Sequence, residues 1–214
     1  MSPRATPMAP EERRRAIVEV VVPLLMASGR ECTTRQIAEA AGIAEGTIFR
    51  AFPDKIALWQ AVVEHVVDPQ TETRQLKEAS ARASDLRSLV VSLADHLFAR
   101  SQRVMTVVGV WRGAILQQYR SGEREMPGSG GKHRPPDFLV DANRALMDGL
   151  ADLFAVYADE LSVAPRTAAA TLRTLAIGQR HPGAFEEFLM TPEEIADIML
   201  DGIRRRTHVS EGAA

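Results

Sequence analysis

Gly46, Thr47 and Arg50 are residues whose types and spacing suggest a definite chemistry. At 100° per residue they share the outer face of a short helix expected from about Ala44 to Phe52, away from Ile48 and Phe52, with Phe49 and Ala51 on its flanks. A face of small residues lets a helix lie deep in a DNA major groove, where a hydroxyl and a guanidinium reach phosphate oxygens or base edges. Thr34 and Arg35 in the preceding helix, Ala44 and Glu45 at the entrance, Phe49, and Lys55 beyond Pro53 complete the candidate DNA-facing set. Many helical hairpins have a wet polar face, so this face alone leaves a plain structural role open.

Other chemistry finds little support. His65, His96, His133, His181 and His208 are scattered, and no HExxH, CxxC or GxSxG occurs, so no catalytic group, metal site or cofactor is expected. Asp95 and His96 are neighbours in sequence, which on a helix turns them about 100° apart. Cys32 is the sole cysteine, so an intrachain disulfide is impossible and a cytoplasmic setting is expected. A buried filler at Cys32 is favoured over a thiol switch. The glycines within Arg120–Pro136 follow no strand and end in no GK[ST], so they read as a mobile loop and not as a phosphate cradle. No apolar run is long enough to span a membrane, and the first fifteen residues lack the apolar stretch of a signal peptide.

The elements that must hold the candidate face are legible. Thr33 and Gln36 have capping-box spacing, and Ile37, Ala38 and Ala41 give the helix after them an apolar stripe. Gly42 stands where a left-handed residue ends that helix, and Ile43 fills the turn. Pro53 stops the next helix, and Asp54 caps another running to about Val67 with Leu58, Trp59, Val62 and Val63 on one face. A helix that starts after Pro10 and is stopped by Gly29 precedes them, with Pro23 expected to kink it or to remove one of its bonds. Beyond, 70–83 reads equally as helix or loop. Helices are expected from Ser84 or Asp85 to Phe98, from Val104 to Tyr119, from Asp137 to Leu161, from Pro165 to Gly178, and from Pro192 under a Thr191 cap. Aromatic content is 5% and alternating β-branched strands are hard to find, which favours an all-α chain.

The stretch TTRQIAEAAGIAEGTIFRAFPDKIAL resembles the helix-turn-helix of the TetR family of repressors. The resemblance rests on Thr34, Ile37, Ala38, Ala41, Gly42, Gly46, Thr47, Phe52, Lys55 and Leu58. The chain departs from the family's pattern at Ala44, where a capping serine is usual, at Phe49, where a tyrosine hydroxyl is usual, and at Ala51, where histidine is frequent. The resemblance implies an N-terminal three-helix DNA-binding module (1–54) and a C-terminal helical effector-binding and dimerisation bundle (55–214). It implies a repressor bound to a palindromic double-stranded operator as a homodimer and released by an effector. An alternative is a DNA-binding dimer controlled by a protein partner, and the three departures leave open an interaction protein that has lost DNA.

Charge bears on this reading. The formal net charge is −2. The arginines of the N-terminal module and Lys55 are opposed by Glu11, Glu12, Glu19, Glu31, Glu39, Glu45 and Asp54, so DNA binding would need a dimer. A pocket for a small hydrophobic organic effector is expected around Leu93, His96, Phe98, Met105, Val108, Trp111, Arg112, Leu116, Asn143, Leu146 and Leu150, apolar with a few polar groups. The dimer interface is expected at Leu172, Leu175, Ala176, Ile195, Met199 and Ile203.

Overall fold

Local signals in the sequence become nine α-helices among the residues that the computed structural model describes, namely 9–28, 31–122, 135–179 and 189–203. They are α1 (Pro10–Ser28), α2 (Thr34–Ala40), α3 (Glu45–Ala51), α4 (Lys55–Val66), α5 (Pro69–Ser80), α6 (Leu86–Arg120), α7 (Asp137–Ala155), α8 (Pro165–Gly178) and α9 (Pro192–Ile203). A single 3-10 turn, Ala158–Glu160, follows α7. Among the described residues there is no strand, and no helix is long and apolar enough to cross a membrane. The chain divides into two compact units, one from 1–68 and 102–136, the other from 69–101 and 137–214.

In the first unit α1 packs on α2, α3 and α4. Ile17, Val21, Leu25, Ile37, Ile48, Phe52, Leu58 and Trp59 are buried. Pro23 lies within α1 on its exposed side, so the helix continues through it. Gly29, expected to end α1, lies outside the described residues.

In the second unit α7 packs on α5 and α8, and α8 on α9. Leu89, Leu93, Leu97, Leu146, Leu150, Phe154, Leu172 and Ile195 belong to one buried cluster. Arg87 on α6 reaches Asp197 on α9, and Arg166 on α8 reaches Asp148 on α7. Gln179 accepts from the Met190 amide at 2.6 Å, joining the end of α8 to the approach to α9. Thr191 and Glu194 cap α9 reciprocally, as their spacing predicts.

One open reading is resolved and two expectations are corrected. The stretch 70–83 is mostly α5, whose polar sequence turns Glu72 and Leu76, four apart, inward. A Cβ at Gly149 on α7 would meet Leu76 Cδ1 at 2.8 Å, so the missing side chain there lets Leu76 approach. The two helices expected between Ser84 and Tyr119 are one, α6, because Ala99–Arg103 contains no glycine or proline to interrupt it. Finally, α7 ends at Ala155 rather than near Leu161, with the Tyr157 amide turning back to the Phe154 carbonyl.

Candidate nucleic-acid interface

The helix-turn-helix is fixed by interactions whose donors and acceptors are all in the sequence signal. Thr33 accepts from the Gln36 amide at 3.2 Å, and Gln36 Oε1 accepts from the Thr33 amide at 2.9 Å, completing the capping box of α2. At the other end Gly42 adopts φ +63°, the left-handed conformation, while the Ile43 amide bonds the Ala38 carbonyl at 3.0 Å. Ala44 then holds extended backbone at the N-cap of α3 and supplies no side-chain hydrogen bond. Asp54 caps α4 through the Ala57 amide at 2.7 Å.

Ile48 and Phe52 anchor α3 in the core, and Arg14 of α1 stacks over the Phe52 ring with its guanidinium 5.0 Å from the ring centre. Glu45, Gly46, Phe49 and Arg50, at i, i+1, i+4 and i+5, are exposed along one side of the helix. Thr47 is half-buried beside them. Thr34 of α2 donates its hydroxyl to Glu45 Oε1, which ties the two helices together on the exposed side.

The cations of this surface sort into two kinds. Arg35 and Arg50 are exposed and make no ion pair among the described residues. Lys55 is already engaged, with Nζ 2.5 Å from Glu31 Oε1, and the same oxygen accepts from Trp59 Nε1 at 3.2 Å. The first kind is free to meet phosphates; the second must leave a carboxylate to do so. The sequence showed the charges but not this partition, because Glu31 lies 24 positions from Lys55. Cys32 beside it is buried, its Sγ 3.8 Å from Ser28 Oγ.

The residues expected to line an effector pocket fall in both units. Leu93, Phe98, Leu146 and Leu150 lie in the buried cluster of the second unit. His96 Nε2 lies 2.9 Å from Glu72 Oε1, and Arg100 Nε donates to Glu72 Oε2 at 2.6 Å. Burial pushes the Glu72 carboxyl up, but the His96 hydrogen bond and the charge and hydrogen bond of Arg100 outweigh it and hold it below its ordinary value. Asn143 is exposed on α7. In the first unit Trp111 is buried and Val108 half-buried, while Met105, Arg112 and Leu116 are exposed on one side of α6 in line with Gly109 and Gly113. Among the described residues no group of three or more His, Cys, Asp or Glu is placed to hold a metal.

The expected dimer residues Leu172, Ala176, Ile195 and Met199 are likewise buried inside their own subunit, and Leu175 packs at the edge of that cluster. Ile203 ends α9, and its side chain lies outside what is described. Among the described residues of these helices, the large apolar residue left in solvent is Ile198, 55% exposed.

Comparison with known proteins identifies the module. Residues 26–62 match the family model "Bacterial regulatory proteins, tetR family". Curated relatives include nucleoid occlusion factors SlmA, 32% identical over 83 residues in Haemophilus ducreyi and 31% identical over 108 residues in Glaesserella parasuis. These matches cover 38% and 50% of this chain, and the chain spans only 40% and 52% of those relatives' length. Among solved structures, the TetR transcriptional regulator SCO0520 of Streptomyces coelicolor superposes with a TM-score of 0.56 at 19% identity, over 91% of this chain and 99% of that one. A protein classed in the TetR family from Mesorhizobium loti gives 0.55 at 14% identity, over 93% and 100%. At such identities these two likenesses show the fold.

Proposed function

We propose that this protein, a transcriptional regulator carrying the helix-turn-helix of the tetR family, is a homodimeric repressor that reads a palindromic operator with α3. Regulators of this family are DNA-binding proteins and not enzymes, and they bind DNA as dimers. The observation that carries the reading is the solvent-facing side of α3, where Gly46 permits close approach and Arg50 has no ion-pair partner among the described residues. Functionally, α1–α3 engage DNA and the later helices pair the subunits and receive the signal. Because Leu172, Ala176, Ile195 and Met199 are used within the subunit, the second copy would pack on the outer sides of α8 and α9, around Leu175 and Ile198. Two α3 helices would then enter major grooves about 34 Å apart.

Release follows if an effector prefers a state in which that separation is wrong. A small hydrophobic compound entering among the apolar residues of α6 and α7 is the first reading of that effector. A protein partner is the second, favoured by Met105 and Leu116, which stand 46% and 51% exposed in line on α6. The dimer is tested by sites selected from random duplex DNA: these should be palindromes, and five inserted base pairs between the half-sites should abolish tight binding. Equal affinity for one isolated half-site would reject the dimer. A compound effector should raise the melting temperature of the free protein while releasing DNA. Failure of every lipophilic compound to do so, with release by a protein that Leu116→Glu no longer answers, selects the partner.

A further inference from the structure

Two exposed residues of α3 do not suit a phosphate backbone. Glu45 is an anion, which phosphates repel, and Phe49 is an apolar ring left 55% exposed. They stand four apart, so their side chains are neighbours about 5–6 Å apart at Cβ on one side of the helix. Both flank Gly46 and Arg50 on the side proposed to enter the groove. Glu45 is also held in place, because one carboxylate oxygen, Oε1, takes the Thr34 hydroxyl while Oε2 makes no hydrogen bond among the described residues.

We infer that Glu45 and Phe49 read pyrimidines: Glu45 accepts a hydrogen bond from a cytosine amino group, and Phe49 packs on the methyl group of a nearby thymine. This rests on the DNA-binding reading above and names the bases that reading leaves open. A carboxylate only accepts, and the groove-facing donors are cytosine N4 and adenine N6. Adenine sets its N7 acceptor beside N6, which suits an amide and faces a carboxylate with a second lone pair. Cytosine offers the donor without an adjacent acceptor. Beside it, the apolar feature of the major groove is the thymine methyl, the group an exposed phenyl ring can cover. Successive base pairs are spaced by about 3.4 Å, so two side chains a helical turn apart address positions one or two steps apart. Phe49, where a tyrosine is usual in the resemblance, thereby supplies an apolar base contact.

The test is selection of duplexes by the full-length protein, followed by affinity measurements on the selected site. The consensus should hold a cytosine and a thymine within two steps in each half-site. Deoxyuridine in place of that thymine, which removes only the methyl, should weaken wild type about fourfold per half-site, the worth of one buried methyl. Phe49→Ala should lose that sensitivity, and Phe49→Tyr, which keeps the ring, should retain it. Glu45→Gln should move the preferred base from cytosine to adenine. Both positions are exposed, so the variants should melt as wild type does. If sites are selected but deoxyuridine is tolerated at every thymine and Glu45→Gln selects the same consensus, the inference is overturned while DNA binding stands. If no duplex is selected at all, the DNA-binding reading falls and the inference with it.

Discussion

Glu31 and Glu72 make the same arrangement in two different surroundings. Each carboxylate holds one cation and one ring nitrogen: Lys55 Nζ and Trp59 Nε1 at Glu31, Arg100 Nε and His96 Nε2 at Glu72. Glu31 is exposed at the edge of the helix-turn-helix module, whereas Glu72 is 4% exposed. In water the Glu31–Lys55 ion pair has little net worth, since solvent competes for both partners. Buried, the Glu72 arrangement cannot be given up without stranding a charge. On the proposed reading, the first suits a surface that hands its lysine to a phosphate of bound DNA. The second fixes α5 to α6 and has nothing to hand over.

The largest effect should come from breaking the buried arrangement. Glu72→Ala leaves Arg100 uncompensated and should cost about 3–5 kcal/mol of folding stability. Glu31→Gln, which removes the charge but keeps an acceptor for the buried Trp59 indole, should cost about 0–1 kcal/mol. Urea unfolding of both variants decides the matter, and equal losses would erase the distinction.

Acid sharpens the same contrast. The Glu72 carboxyl is held below its ordinary value of 4.5 in the folded protein, so the folded state releases that proton more readily than the unfolded chain. Its contribution is complete above the ordinary value and disappears as pH falls through the lower folded value. A melting temperature followed from pH 7 down to pH 3 should therefore drop below about pH 4.5, and Glu72→Gln should make that drop shallower. A variant with the same acid profile as wild type would remove Glu72 from the account.

Between these in size lies the unfilled cap. Ala44 sits at the N-cap of α3 with extended backbone and no side-chain bond, so Ala44→Ser should add about 0.5–2 kcal/mol. A lower melting temperature would contradict that geometry. Smallest is the exposed pair read through DNA: Glu31→Gln frees Lys55 and should tighten operator binding by about two- to threefold at low salt, fading as salt rises. Weaker binding would mean that Glu31 positions Lys55 instead of occupying it.

The helix-turn-helix module was legible because its signals are local. Thr33 with Gln36, Gly42, and Asp54 before Lys55 each act within a few residues, and the structure uses all of them. The second unit was harder to read because its decisive contacts are long-range. Nothing in PQTETRQLKEAS announces that Glu72 is buried, since its partners lie 24 and 28 positions away. Hydrophobic periodicity located α8 and α9 but could not tell a face used inside the subunit from one left for a partner. Hence Leu172 and Met199 were expected at an interface and are core, while Ile198, on the same helix as Met199, is exposed.

The central claim is that the open side of α3 grips DNA, and Arg50→Ala tests it most directly. Fluorescence anisotropy on a selected palindrome, titrated at several salt concentrations, should give a weaker complex at every salt. Loss of one phosphate contact per subunit should lower the log–log salt slope by about 0.9 for each, with the melting temperature unchanged. The same affinity and the same slope in Arg50→Ala and wild type would contradict the account.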